Sequence, residues 1–251
     1  MTGAAPAFDP GSMADAAAKL AEYIAKLVAK ISEFVDKIND LLGSWALRFL
    51  GAVKDAITWL AQKILDLVQW CLGKLKDAWT VVSAPLTFWN LGGDWGSEVQ
   101  TPASDVAAVV QPNALRAPLD WSGEAADRYK LAVSLQGPAA TSVSGMAGSV
   151  QLHLRIAAAG GLVFYVGLVA VAVKFFSVMT AATAAAATGV GAPIGLGGAA
   201  AEAAQDAAVI GGLIAAIAAL VAGEASAVAN IQNSANNHGA FPNNAWPVGT
   251  A

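Results

Sequence analysis

The sequence predicts an all-α protein, on three observations. Apolar residues recur at alternating steps of four and three through two long stretches, Leu20 to Trp45 and Val53 to Trp79. Two later stretches are almost free of charge: Lys174 is the only ionised side chain from Ile156 to Ala201, and Ala207 to Ala222 has none. Between these lies Gly189-Val-Gly191-Ala-Pro193-Ile-Gly195-Leu-Gly197-Gly198, a dense set of helix breakers that predicts a turn. The expected organisation is long amphipathic helices over 1–82, a Pro/Gly connector with a helical turn over 83–155, an apolar helical hairpin over 156–229 and a polar tail over 230–251.

Composition bounds the class. The chain has 251 residues, of which 56% are hydrophobic and 13% charged, with a mean hydropathy of +0.55. That is too apolar for a disordered chain and unusually apolar for a soluble enzyme. The formal net charge is −4, with Lys and Arg scattered, which argues against a nucleic-acid surface. A single cysteine, Cys71, excludes an intramolecular disulfide. Met1 to Asp9 has no basic segment followed by an apolar core, so no cleaved secretory signal is expected.

Taken in order, Ala5 to Gly11 reads as a loose lead-in, and Ser12 with Asp15 three residues on offers a capping box. Leu20, Ile24, Leu27, Ile31, Phe34, Ile38, Leu41 and Trp45 then form an a/d seam. Glu22 with Lys26, and Glu33 with Lys37, are i,i+4 pairs in the favourable order on the wet face. Gly43-Ser44 is expected to break or kink the helix. The pattern resumes with Val53, Ile57, Leu60, Ile64, Leu67, Cys71, Leu75 and Trp79, broadened by Trp59, Leu65, Val68, Trp70 and Leu72. Both helices are expected to pack on other helices, with the tryptophan-rich half also suited to a lipid interface. From Ser83 to Pro118 prolines and glycines predict a connector holding one shorter helix, about Pro102 to Val110, with Trp89 and Trp95 as anchors.

Leu119-Asp-Trp121-Ser-Gly123-Glu-Ala125-Ala126-Asp-Arg-Tyr129 follows. Gly123 supplies backbone freedom or close approach, Trp121 is suited to closing the open end of a helical reversal, and Ala125-Ala126 let the next helix pack closely. This segment resembles the Trp-x-Gly helical-hairpin superfamily of type VII (ESX) secretion, including its Gly-x-Ala-Ala-x-x-aromatic continuation through Ala126 and Tyr129. Phe241-Pro242-Asn-Asn-Ala-Trp246-Pro247 is similar to tails of longer actinobacterial relatives. The resemblance covers about Trp89 to Arg155 and that tail. It implies signal-peptide-independent secretion and a helical partner or self-association. The family's Tyr-x-x-x-Asp/Glu export signal is absent: Tyr23, Tyr129 and Tyr165 are followed four residues on by Leu27, Val133 and Val169. A partner would then carry that signal in trans.

Candidate chemistry is thin. His153 and His238 lack Cys or carboxylate at ligand spacing, so neither metal nor cofactor is expected. His153, beside Arg155, reads as a polar position near a helix end. No serine sits in a Gly-x-Ser-x-Gly elbow, Cys71 has no histidine nearby, and Gly189-x-Gly191 with Gly195 misses the dinucleotide fingerprint. Asp120, Glu124 and Asp127 are explained by a solvated helix N-terminus. No catalytic site and no small-molecule substrate follow from the sequence.

The apolar hairpin carries the functional question. Its arms, about Ile156 to Ala187 and Ala199 to Ala229, each exceed the roughly 20 residues that span a bilayer. A helix apolar all round is buried either in protein or in lipid. Leu162, Val169, Gly191, Gly197 and Gly212 mark positions buried in either medium. Gly160, Gly161 and Gly167 on one arm, with Gly211, Gly212 and Ala215 on the other, permit close helix contact. Lys174 requires water or an acidic partner among Glu202, Asp206 and Glu224. The function expected is non-enzymatic: a type VII secretion-associated protein acting through helix association. The alternative is a membrane-inserting or pore-forming effector that exposes 156–229 to lipid.

Overall fold

The computed structural model describes residues 8–43, 51–111, 114–115, 120–187 and 192–248. Among these the chain is all-α, with no strand. Helix α1 is Pro10–Gly43, α2 Gly51–Trp79, α3 Ala84–Asp94, α4 Thr101–Val109, α5 Glu124–Ser134, α6 Gln136–Ala186 and α7 Ala192–Ala235. A π-helical turn, Trp95–Gln100, joins α3 to α4, and a 3-10 turn, Pro242–Asn244, lies in the tail. Trp45, Ser44, Pro112, Pro118, Leu119 and the Ala5–Ala7 part of the lead-in fall outside the described residues, as do Gly189 and Gly191 of the expected turn.

The helices divide between two compact units. One comprises Asp9–Ala84 and Gly160–Ala218. Here α1 begins with Pro10, and Asp9 rather than Ser12 is its cap. The Asp9 carboxylate accepts from the backbone N–H of Gly11 (3.2 Å) and Ser12 (2.8 Å) and from the Ser12 hydroxyl (2.6 Å). Proline at the first helical position lacks only a donor that would have gone unused. The α1 seam buries Leu20, Leu27, Phe34, Ile38 and Leu41, leaving Ile24 and Ile31 half-buried. On α2 the buried stripe is Ile57, Ala61, Ile64, Val68, Cys71 and Leu75, so Leu60 and Leu67 move to its flank and Trp79 is exposed. The expected Glu22–Lys26 ion pair forms. Glu33 instead takes Lys30, at 2.7 Å, one turn towards the N-terminus.

The other unit comprises Met1–Phe8, Pro85–Ala159 and Ala219–Ala251. The expected connector is largely helical. Pro85 and Pro102 each occupy a first turn, where proline is tolerated, and Gly92 and Gly96 serve packing rather than chain breaking. A Cβ on Gly92 would lie 3.3 Å from the Gln151 carbonyl of α6. A Cβ on Gly96 would overlap the Gln151 side-chain amide, and one on Gly148 would lie 2.8 Å from the Gln100 amide nitrogen. Each element thus offers a glycine notch to a glutamine of the other. Ser144 donates to the Gln100 carbonyl at 3.1 Å beside these notches. Trp89 is the anchor expected of it, stacking on Phe8 at 5.1 Å with the Arg155 guanidinium over its ring; Trp95 is exposed.

Candidate functional site

The apolar hairpin is built from α6 and α7, both longer than the arms read from the sequence. Pro138 and Pro193 stand in their first turns, so neither interrupts the helix, and Gly195, Gly197 and Gly198 are helical rather than part of the turn. Three contacts fix one antiparallel register. A Cβ on Gly195 would lie 2.5 Å from the Ala185 Cβ, and one on Gly167 would lie 2.9 Å from Leu213 Cδ2. Between them Lys174 Nζ donates to Asp206 Oδ1 at 2.7 Å. On each helix these positions are seven and eleven residues apart, which places them on one face.

Lys174 thus takes Asp206 out of its three candidate partners. The Asp206 carboxylate is 1% exposed and its Oδ2 has no hydrogen-bond partner among the described residues, whereas the Lys174 side chain is 52% exposed. The lysine reaches from water to hold a charge that would otherwise be buried unpaired. A second cross-helix contact lies nearer the other ends of the helices. His153 Nδ1 is 2.9 Å from Glu224 Oε2, close enough for an ion pair when the imidazole is protonated but out of line for a hydrogen bond. His153 is therefore inside α6, not near a helix end, and its pairing was not anticipated. The isolated acid at Glu224, facing the one histidine of α6, was the available signal. Beside this pair a polar crevice of about 540 Å³ is lined by Ser142, Ser149, Ser226, Asn230 and Ser234.

The two helices differ in cover. Both are long and apolar enough to cross a membrane, and the most apolar stretch of α6 is 39% buried while that of α7 is 11% buried. On α7 the buried positions are Ala192, Leu196, Ala199, Ala203, Asp206 and Ile210, a narrow a/d stripe, and the next is Ala227. Val209, Ile214 and Val221 are exposed by 49%, 40% and 62%. Leu162 and Val169 of α6 are half-buried. Among the described residues a Cβ on Gly197, Gly211 or Gly212 would meet nothing within 4 Å, so these glycines are not close helix contacts there.

Helices α1 and α2 cover one side of the hairpin in their unit. Tyr165 donates its hydroxyl to the Ala78 carbonyl of α2 at 2.8 Å, and Tyr23 of α1 meets Phe176 edge-on at 6.1 Å. Cys71 is 2% exposed, and burial, with the nearby Asp206 charge, pushes its thiol up to about 12. An apolar groove of about 530 Å³ separates Trp59 and Trp70 of α2 from Gly197, Ala200 and Ala204 of α7.

The Trp-x-Gly turn is partly as expected. Gly123 has φ +104°, a conformation that favours glycine, and α5 begins at the next residue. Ala126 is fully buried. Trp121 is not a core residue: it is 44% exposed, with its ring tilted against half-buried Tyr129 at 5.9 Å. Among the described residues no group of three His, Cys, Asp or Glu is placed to hold a metal ion. No protein-family model matches this chain, and neither a curated protein nor a solved structure matches it significantly.

Proposed function

We propose that this chain is a non-enzymatic helical protein that enters lipid bilayers through the α6–α7 hairpin, with α1 and α2 covering one side of it in water. The observation that carries this reading is the exposure of α7, whose most apolar stretch is 11% buried. A helix apolar on all sides needs cover, and a contiguous exposed apolar face marks an interaction site. The seam with α6 and the Trp59–Trp70 groove leave most of that face open. Tryptophans at the groove suit the zone between headgroups and hydrocarbon. The test is flotation and dye release with phosphatidylcholine vesicles containing phosphatidylglycerol. Protein that floats with the vesicles and releases dye is expected. A stable protein that neither binds nor leaks vesicles from pH 5 to pH 8 would end the membrane reading.

A second reading concerns export and partner, and is compatible with the first. Gly123 at φ +104° and the Trp121–Tyr129 ring contact support a Trp-x-Gly turn of the type VII secretion kind. Exposed Trp121 and Leu131 then offer a surface to a helical partner or a second copy. Under this reading the protein reaches the culture supernatant without a cleaved signal peptide. Finding it only inside the producing cells, with type VII export active, would remove this reading and leave the first intact.

A further inference from the structure

We infer that the bilayer-crossing part of the hairpin is bounded by two charged borders, and consists of residues 156–173 of α6 paired with residues 207–223 of α7. This rests on the membrane reading above and specifies which residues meet hydrocarbon. On α6, Arg155 precedes the segment and Lys174 follows it; on α7, Asp206 precedes and Glu224 follows. Neither segment contains Asp, Glu, Lys, Arg or His. As helix, each is about 26 Å long. The hydrocarbon layer is about 30 Å thick, and spanning segments range over roughly 17–25 residues, so both segments fit at the short end.

The two helices meet through polar side chains at both borders. Lys174 holds Asp206 at one, and His153 lies against Glu224 at the other. The side chain of Lys174 is 52% exposed, as suits a group that stays in water while the helix beside it does not. Exposure on α7 coincides with the proposed segment: no residue between Ile210 and Ala227 is buried. Within the segment Gly167 lies under Leu213, which keeps the two helices paired as they cross. If the turn end of the hairpin stopped inside the bilayer instead, Lys174, Glu202 and Asp206 would all lie in hydrocarbon. Placing one charge at the centre of a span weakens insertion on the order of 100-fold. With the borders as proposed, no charge of the hairpin lies in hydrocarbon, and the end bearing Lys174, Glu202 and Asp206 emerges on the far side.

The test uses the full chain with Cys71→Ala and one added cysteine at a time. Ala170→Cys and Ala215→Cys lie within the segment, Ala181→Cys and Ala201→Cys beyond its far border, and all four positions are exposed. Protein is added outside vesicles of phosphatidylcholine and phosphatidylglycerol that contain a sealed-in, membrane-impermeant maleimide. The expected result is labelling of Ala181→Cys and Ala201→Cys from the lumen and complete loss of labelling at Ala170→Cys and Ala215→Cys. A polarity-sensitive fluorophore attached beforehand at the latter two should shift to the blue. Vesicle-bound protein in which Ala181→Cys and Ala201→Cys are shielded, or react only from outside, overturns these borders while the membrane reading stands. Absence of vesicle binding by the wild-type chain overturns both.

Discussion

Asp9 caps α1 with three hydrogen bonds, and those bonds, led by the Ser12 hydroxyl, hold its carboxyl below the ordinary value of 3.8. A depressed folded-state pKa gives a stabilisation that is complete above the unfolded value and lost as pH falls through the folded one. Thermal melts of wild type and Asp9→Ala should therefore differ at neutral pH and converge in acid, at a pH below the ordinary 3.8. The Cys71 thiol behaves oppositely, since burial raises it to about 12. It should resist a thiol reagent at pH 8 in the folded protein and react once the chain is unfolded in urea. If α2 leaves the hairpin at a membrane, vesicles should restore that reactivity without denaturant. Trp121→Ala removes a half-exposed ring contact and should cost about 1 kcal/mol. A loss of 3 kcal/mol or more in a denaturant titration would mean that the ring is in the core after all.

Glycines within the helices separate by what faces them. At Gly195 a methyl group would meet the Ala185 Cβ, which cannot rotate away, so Gly195→Ala should force the helices apart at a cost of about 1–3 kcal/mol. At Gly167 the obstacle is the movable end of Leu213, and at Gly212 there is none. Gly212→Ala should gain about 0.5–1 kcal/mol from helix propensity, with Gly167→Ala between the two. Chemical denaturation of the three variants ranks them, and equal effects would contradict the register. The long helices were legible in the sequence because burial imposes a period. Leu20, Leu27 and Phe34, or Ile57, Ile64 and Cys71, announce one face. What misled was punctuation. Pro85 and Pro193 stand in first turns, and Gly92, Gly96 and Gly195 admit a neighbouring helix; in one dimension all five read as breaks, whereas Pro102 reads correctly as a first-turn residue. The partner of Lys174 was equally undetermined, because Glu202, Asp206 and Glu224 differ only in register, and register is a property of two helices together.

For the whole molecule, the question is which surface is finished in water. Ala216 of α7 is exposed, so Ala216→Asp should leave the melt in buffer within about 0.5 kcal/mol of wild type. The same change should weaken vesicle insertion by about 2.5–3.5 kcal/mol, since the residue then lies inside a span. Loss of folding in buffer would show instead that this face is already covered. Phe34, at 0% exposure in α1, gives the contrast: Phe34→Ala should cost about 3–5 kcal/mol in buffer with no lipid present. The two glycine notches carry a last consequence. Gln151 fits over Gly96, and Gln100 fits over Gly148, whose neighbours one turn either way along the same face, Ser144 and Leu152, both carry side chains. Such a joint has a single tooth on each half, facing opposite ways. It can be lifted apart, yet it jams against being slid, so α6 parts from its neighbours all at once or stays where it is.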